Sequence, residues 1–172
     1  MGVGLDAAVN DGTAPVPLIG YGLVVGLNKT GDRRQTVFSA QTLANMLERF
    51  GVLVPGEQIK IENVAAVLVT AELPAFSRRG SRLDITASSI GDARSLQGGT
   101  LLPTPMRGTD GTIYALAQGP LTLGGFGGGK GGNSVQVNHL TVGRVPAGGI
   151  IQAELASAVP LAGESILLTL AT

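Results

Sequence analysis

The chain has no cysteine, so neither a disulfide nor a thiolate metal site exists within it. Tryptophan is absent and aromatics are only 3% of residues, so the core has to be built from Val, Leu, Ile and Ala. Twelve basic residues balance twelve acidic ones, without the basic excess that marks nucleic-acid binders. His139 is the single histidine. With no second histidine, a metal site would need carboxylates at ligand spacing, and the Asp and Glu residues do not cluster that way. His139 is therefore read as a strand-end histidine bonded to backbone. No apolar run approaches the length of a membrane-spanning helix. The opening residues "MGVGLDAAVNDGTAPVP" lack the basic start and apolar stretch of an export signal.

What is present is apolar and turn-rich. Of 172 residues, 44% are hydrophobic, with 27 glycines and 9 prolines. That excludes a disordered chain and predicts short strands joined by many turns, with length enough for one domain, or for one domain plus a fragment of a second. Residues 1–17 read as a tail. "LIGYGLVVGL" (18–27) reads as a strand whose glycines permit bends or close backbone approach, and "NKTGD" (28–32) as a turn. Leu43, Met46, Leu47 and Phe50 form one helical stripe and predict a helix over about 36–50. Thr36 is its N-cap and Gly51 its left-handed terminator. "NVAAVLVTAEL" (63–73) and the alternating "SRLDITASSI" (81–90) read as strands. "TLLPTPM" (100–106) and "TIYALAQ" (112–118) flank an Asp110-Gly111 hairpin signal, with Pro103 and Pro105 placing the first at a sheet edge or bulge. "SVQVNHLTV" (134–142), "GIIQAEL" (149–155) and "SILLTL" (165–170) complete the strands. The expected class is α+β: strand-rich, mainly antiparallel sheets with one packed amphipathic helix.

The stretch "LGGFGGGKGGN" (123–133) tests one chemistry. Gly124 to Lys130 satisfies the phosphate-loop spacing, but Gly131 stands where Ser or Thr should ligate magnesium. The run leads into a period-two segment, so no helix N-terminus supplies an anion field. It is read as a flexible loop over 124–132. No serine sits in a nucleophile elbow, and no other catalytic constellation is visible. The chain is expected to be no enzyme and to carry no cofactor. Positive charge is the remaining local feature: Arg78, Arg79 and Arg82 lie in and beside the 74–80 connector, Arg94 in a Gly-flanked loop, and Lys130 in the glycine run. The bland reading is solvated surface charge. The functional one is contact with carboxylates, such as those of peptidoglycan stem peptides, or with a neighbouring subunit.

Five ordered blocks carry a more specific signal. "PLIGYGLVVGLNKTGD" (17–32), "QTLANMLERFGV" (41–52), "NVAAVLVTAELPAF" (63–76), "GDARSLQGGTLLPTPMRGTDGTIYALAQGPL" (91–121) and "VNHLTVGRVPAGGIIQAEL" (137–155) closely resemble the bacterial flagellar P-ring protein family. The resemblance implies a structural subunit of a periplasmic ring at the peptidoglycan layer, a bushing around the rotating rod of the basal body. It implies a domain over 18–172, and partners comprising further copies of itself, the L-ring protein, the distal rod protein, peptidoglycan and a periplasmic assembly chaperone, with no nucleic acid. Residues 1–16 match neither the family's export signal nor its mature start, and the family chain runs on past this C-terminus, so an N-terminal portion is expected. The alternative is a monomeric cell-wall-binding module that builds no ring.

Overall fold

The structure, a computed structural model, describes residues 14–33, 40–123 and 139–155. Six strands are present among them: β1 (Val16–Val25), β2 (Ala65–Leu73), β3 (Arg82–Ser89), β4 (Thr100–Arg107), β5 (Ile113–Pro120) and β6 (Val142–Ile151). One α-helix, α1 (Ala40–Arg49), and two single turns of 3₁₀ helix, Gly56–Gln58 and Ile61–Asn63, lie between β1 and β2. The strands close in the order β1-β2-β3-β6-β5-β4, every pair antiparallel. This corrects the α+β expectation. The described residues form a closed β-barrel, and the one α-helix among them spans 10 residues.

Closure is achieved where β4 meets β1. Five steps along β1, Ile19 to Val24, match six along β4, Arg107 to Leu101. Pro103 and Pro105 lie in the stretch that holds the extra residue, so the prolines accompany a bulge, and a closed barrel has no edge for them to occupy. The bulge brings Thr104, fully buried, against β1. A Cβ on Gly20 would lie 2.7 Å from the Pro105 carbonyl oxygen, and one on Gly22 would lie 2.5 Å from Thr104 Oγ1. The glycines of "LIGYGLVV" therefore let the two backbones approach and seal the barrel. Inside, Leu18, Val67, Val69, Leu73, Ile85, Leu101 and Met106 interdigitate with Ala65, Ala87, Ala115 and Ala117. The small residues fit a narrow barrel in which Leu or Ile at every position would overfill the lumen.

The predicted helix N-terminus at 36–39, including Thr36, lies outside the described residues. The C-terminus follows the sequence signal. Gly51 has φ +79°, its N–H bonds the Glu48 carbonyl at 2.9 Å, and the Val52 N–H bonds the Leu47 carbonyl at 3.0 Å. That bond pair satisfies two carbonyls the helix end would leave orphaned. Leu43, 1% exposed, rests with Leu23, Val64 and Ala66 on the barrel's outer wall. Phe50 leaves the stripe and is 52% exposed.

β6 also departs from expectation. Two strands, 134–142 and 149–155, were expected with an interruption between; one strand runs through it from Val142 to Ile151. Against β3, two steps from Leu83 to Ile85 face four from Gly149 to Val145. The surplus bulges around Ala147, which has φ +52°. Two β3 side chains hold that bulge: Asp84 Oδ1 accepts the Ala147 N–H at 2.8 Å, and Arg82 Nη1 donates to the Ala147 carbonyl at 3.2 Å. The other expected strand, 165–170, and residues 134–138 lie outside the described residues.

Candidate functional site

Five basic residues were singled out from the sequence, and four of them are among the described residues. Arg78 and Arg79 stand exposed on the connector between β2 and β3, on one end rim of the barrel. Arg82, at the start of β3, spends a guanidinium N–H on the β6 bulge. Arg94 lies at the opposite end. Its backbone N–H bonds the Thr30 carbonyl at 2.8 Å, and its Nη2 donates to the Lys29 carbonyl at 3.4 Å. Lys130 and the 124–132 glycine run lie outside the described residues.

The connector is held firmly. Ser77 Oγ donates to the Pro74 carbonyl at 2.5 Å. Ser81 N–H bonds the Arg78 carbonyl at 3.0 Å, and Gly80 N–H bonds the Ile151 carbonyl at 2.9 Å. Arg79 donates its backbone N–H to Glu154 Oε1 at 3.3 Å. At its apex Phe76 adopts φ +61° and is 75% exposed. Sequence reasoning had no signal for this aromatic, because a positive φ on a non-glycine residue is imposed by tertiary context.

Two hollows mark the outer wall. A groove of about 930 Å³ crosses β1, β2 and β3, lined by Ile19, Glu72, Arg82, Asp84, Arg107 and Arg144 among others. A second hollow, of about 1000 Å³, lies near the helix start and brings Lys29, Arg33, Lys60 and Arg94 beside Glu57 and Glu62. Both mix charges of either sign, and neither gathers the convergent donors of a catalytic centre. Among the described residues no three His, Cys, Asp or Glu side chains group to hold a metal ion. His139 is exposed just ahead of β6.

Two polar groups missed in the sequence are structural. Asp32 is fully buried, and its Oδ2 accepts the Ala66 N–H at 2.8 Å. It completes the β2 ladder just where β3 departs, since the Ile90 N–H already serves the Ala66 carbonyl at 3.1 Å. A Cβ on Gly91 would sit 2.3 Å from Asp32 Oδ1, so Gly91 makes room for the carboxylate. In the sequence Asp32 looked like any turn aspartate.

Tyr114 is 9% exposed and donates its hydroxyl to Asp110 Oδ2 at 2.5 Å across the β4–β5 hairpin. That hydroxyl, then the Thr112 backbone N–H, holds the Asp110 carboxyl below its ordinary range. The same bond pushes the Tyr114 phenol up. The carboxylate's contribution to stability is therefore complete above the unfolded pKa of about 4 and is lost as pH falls through the lower folded value. Tyr114→Phe is expected to lower the melting temperature at neutral pH. The gap between parent and variant should narrow as pH falls below the ordinary carboxylate range and Asp110 protonates, and thermal melts across acid pH measure it. A gap independent of pH would assign the loss to packing.

A family model described as Flagellar P-ring protein matches residues 5–172. The chain belongs to the flagellar P-ring protein family. A flagellar P-ring protein of Geobacter sulfurreducens is 55% identical over 150 residues, which is 87% of this chain and 41% of that protein. One from Syntrophotalea carbinolica is 54% identical over 150 residues, 87% of this chain and 41% of that protein. One from Thiobacillus denitrificans is 51% identical over 162 residues, 93% of this chain and 44% of that protein. The chain thus spans about two fifths of the length of these P-ring relatives, 41–44%. The family name denotes a component of a ring, and no helix among the described residues is long and apolar enough to cross a membrane.

Proposed function

We propose that the chain is a structural subunit of the flagellar P-ring, set at the peptidoglycan layer of the periplasm as a bushing around the rotating rod. The observation that carries this reading is the family match across residues 5–172. A sealed barrel supports it physically. A sleeve that surrounds a turning axle needs stiffness and no free sheet edges, and closure supplies both. The balanced charge of the chain, twelve basic and twelve acidic residues, suits a wall that should not grip the axle. In this role the partners are further copies of the chain, the distal rod protein, the L-ring protein, peptidoglycan and a periplasmic assembly chaperone. No cofactor takes part and no catalytic step is needed.

Cations supply the cell-wall contact. Arg78, Arg79 and Arg94, all exposed, and Lys130 of the glycine run offer guanidinium or ammonium groups to stem-peptide carboxylates. Arg82 has a second duty at the β6 bulge, so its replacement is expected to lower stability as well. Reversing Arg78, Arg79 and Arg94 to glutamate together should reduce retention on purified peptidoglycan at least tenfold and leave the melting temperature within about 2 °C, as for surface changes. Retention equal to the parent would remove these residues from the wall contact.

A further inference from the structure

Phe76 combines two features that rarely meet. Its φ of +61° is disfavoured for a bulky L-residue, and its ring is 75% exposed. Neither is needed to turn the chain there, because Gly or Asn would adopt that conformation with less strain. The connector that presents it is pinned at Ser77, Arg79, Gly80 and Ser81. Arg78 and Arg79, both exposed, follow directly. A rigidly held aromatic beside two arginines is the composition and preorganisation of an interface anchor.

A surface of matching character lies on another face of the molecule. Beyond α1 the chain exposes Phe50, Val52 and Leu53, the last 81% exposed. Glu48 and Arg49 stand exposed in the last helical turn, and the paired bonds of Gly51 and Val52 fix the apolar segment against the helix end. The apolar residues match Phe76, and the Glu48 carboxylate, beside the opposing charge of Arg49, is the group that would receive Arg78 or Arg79. The two surfaces differ and lie apart, one on the end rim and one on the outer wall. That is the requirement for a heterologous contact, which repeats from copy to copy until a ring closes.

Given the ring-subunit reading above, we infer that Phe76, flanked by Arg78 and Arg79, docks on the Phe50–Leu53 surface of a second copy of this chain. The chain has no cysteine, so the contact can be trapped cleanly. In an Ala75→Cys, Val54→Cys double variant, which keeps Phe76 and Leu53, a short bis-maleimide is expected to give a ladder of dimers, trimers and higher species. Each single variant should remain monomeric under the same treatment. Both positions are half-buried neighbours of the proposed contact and lie outside the core clusters. A double variant without a ladder, or single variants that dimerise, would overturn the inference, the second by showing a two-fold contact.

Phe76→Asn separates anchoring from folding. It should keep or raise the melting temperature, since asparagine tolerates a positive φ, while weakening self-association at least tenfold in sedimentation velocity. A lowered melting temperature with unchanged association would make Phe76 a structural residue and refute the docking. In cells, rings that form with Phe76→Asn as they do with the parent would refute the interface and leave the ring reading standing. Absence of this protein from the ring altogether would sink both.

Discussion

Gly31→Ala is expected to destabilise the barrel by about 3 kcal/mol, the upper end for overpacking a tight site. A Cβ at Gly31 would lie 2.3 Å from the Val64 carbonyl oxygen, 2.7 Å from its nitrogen and 2.8 Å from its carbonyl carbon. All three are backbone atoms, so no rotamer change relieves the clash. The two segments are also tied on either side of the contact. Gly31 N–H bonds the Glu62 carbonyl at 2.8 Å, and Asp32 N–H bonds the Val64 carbonyl at 2.8 Å. Separating them breaks that pair and pulls the buried Asp32 carboxylate from Ala66. Gly51→Ala is the control. Nothing lies within 4 Å of its Cβ, and only its φ of +79° opposes a side chain. Its loss should be about 1 kcal/mol. Urea midpoints with unchanged slopes compare the two, and equal losses would show that the Gly31 approach is not tight.

Ile85→Ala should cost about 3 kcal/mol, as for other large-to-small changes in a filled core. Ile85 is fully buried in the lumen, and a Cβ on Gly149 of β6 would meet its Cδ1 at 2.7 Å. The contact predicts a coupling that a loosely packed interior would not show. Gly149→Ala alone should destabilise by about 1–3 kcal/mol through overpacking. Ile85→Val alone, which removes Cδ1, should cost about 1 kcal/mol. Together they should cost less than the sum by at least about 0.5 kcal/mol, because the new methyl occupies the vacated space. Strict additivity would place the two residues out of contact and question the β3–β6 register.

Much of the fold was legible in the sequence, and the unreadable parts share one cause. Period and turn chemistry located β1 to β5 and the end of α1 at Gly51, since those signals are local. Closure was not legible, because it joins β1 to β4 across the chain and turns on Gly20 and Gly22 facing a bulge near Pro105. The same prolines read equally well as a free edge. The sequence reads as two strands, 134–142 and 149–155, where one strand, β6, runs from Val142 to Ile151. What carries the strand through is the pair Arg82 and Asp84, which in the sequence look like solvent-facing charges on an alternating strand. That pair also changed the site. Arg82 belongs partly to the scaffold, Arg94 lies at the other end, and only Arg78 and Arg79 remain together. The family itself was legible from ordered blocks of sequence. The strained, exposed Phe76 was not, because strain is a property of the folded chain.

The central claim is that this barrel is a building block of the P-ring. Electron cryotomography of basal bodies in the source bacterium tests it most directly, comparing the parent strain with one in which the gene for this chain is deleted. Loss of the ring density at the peptidoglycan layer, with its return on complementation, is the predicted result. A complete ring at that layer in the deleted strain would contradict the account.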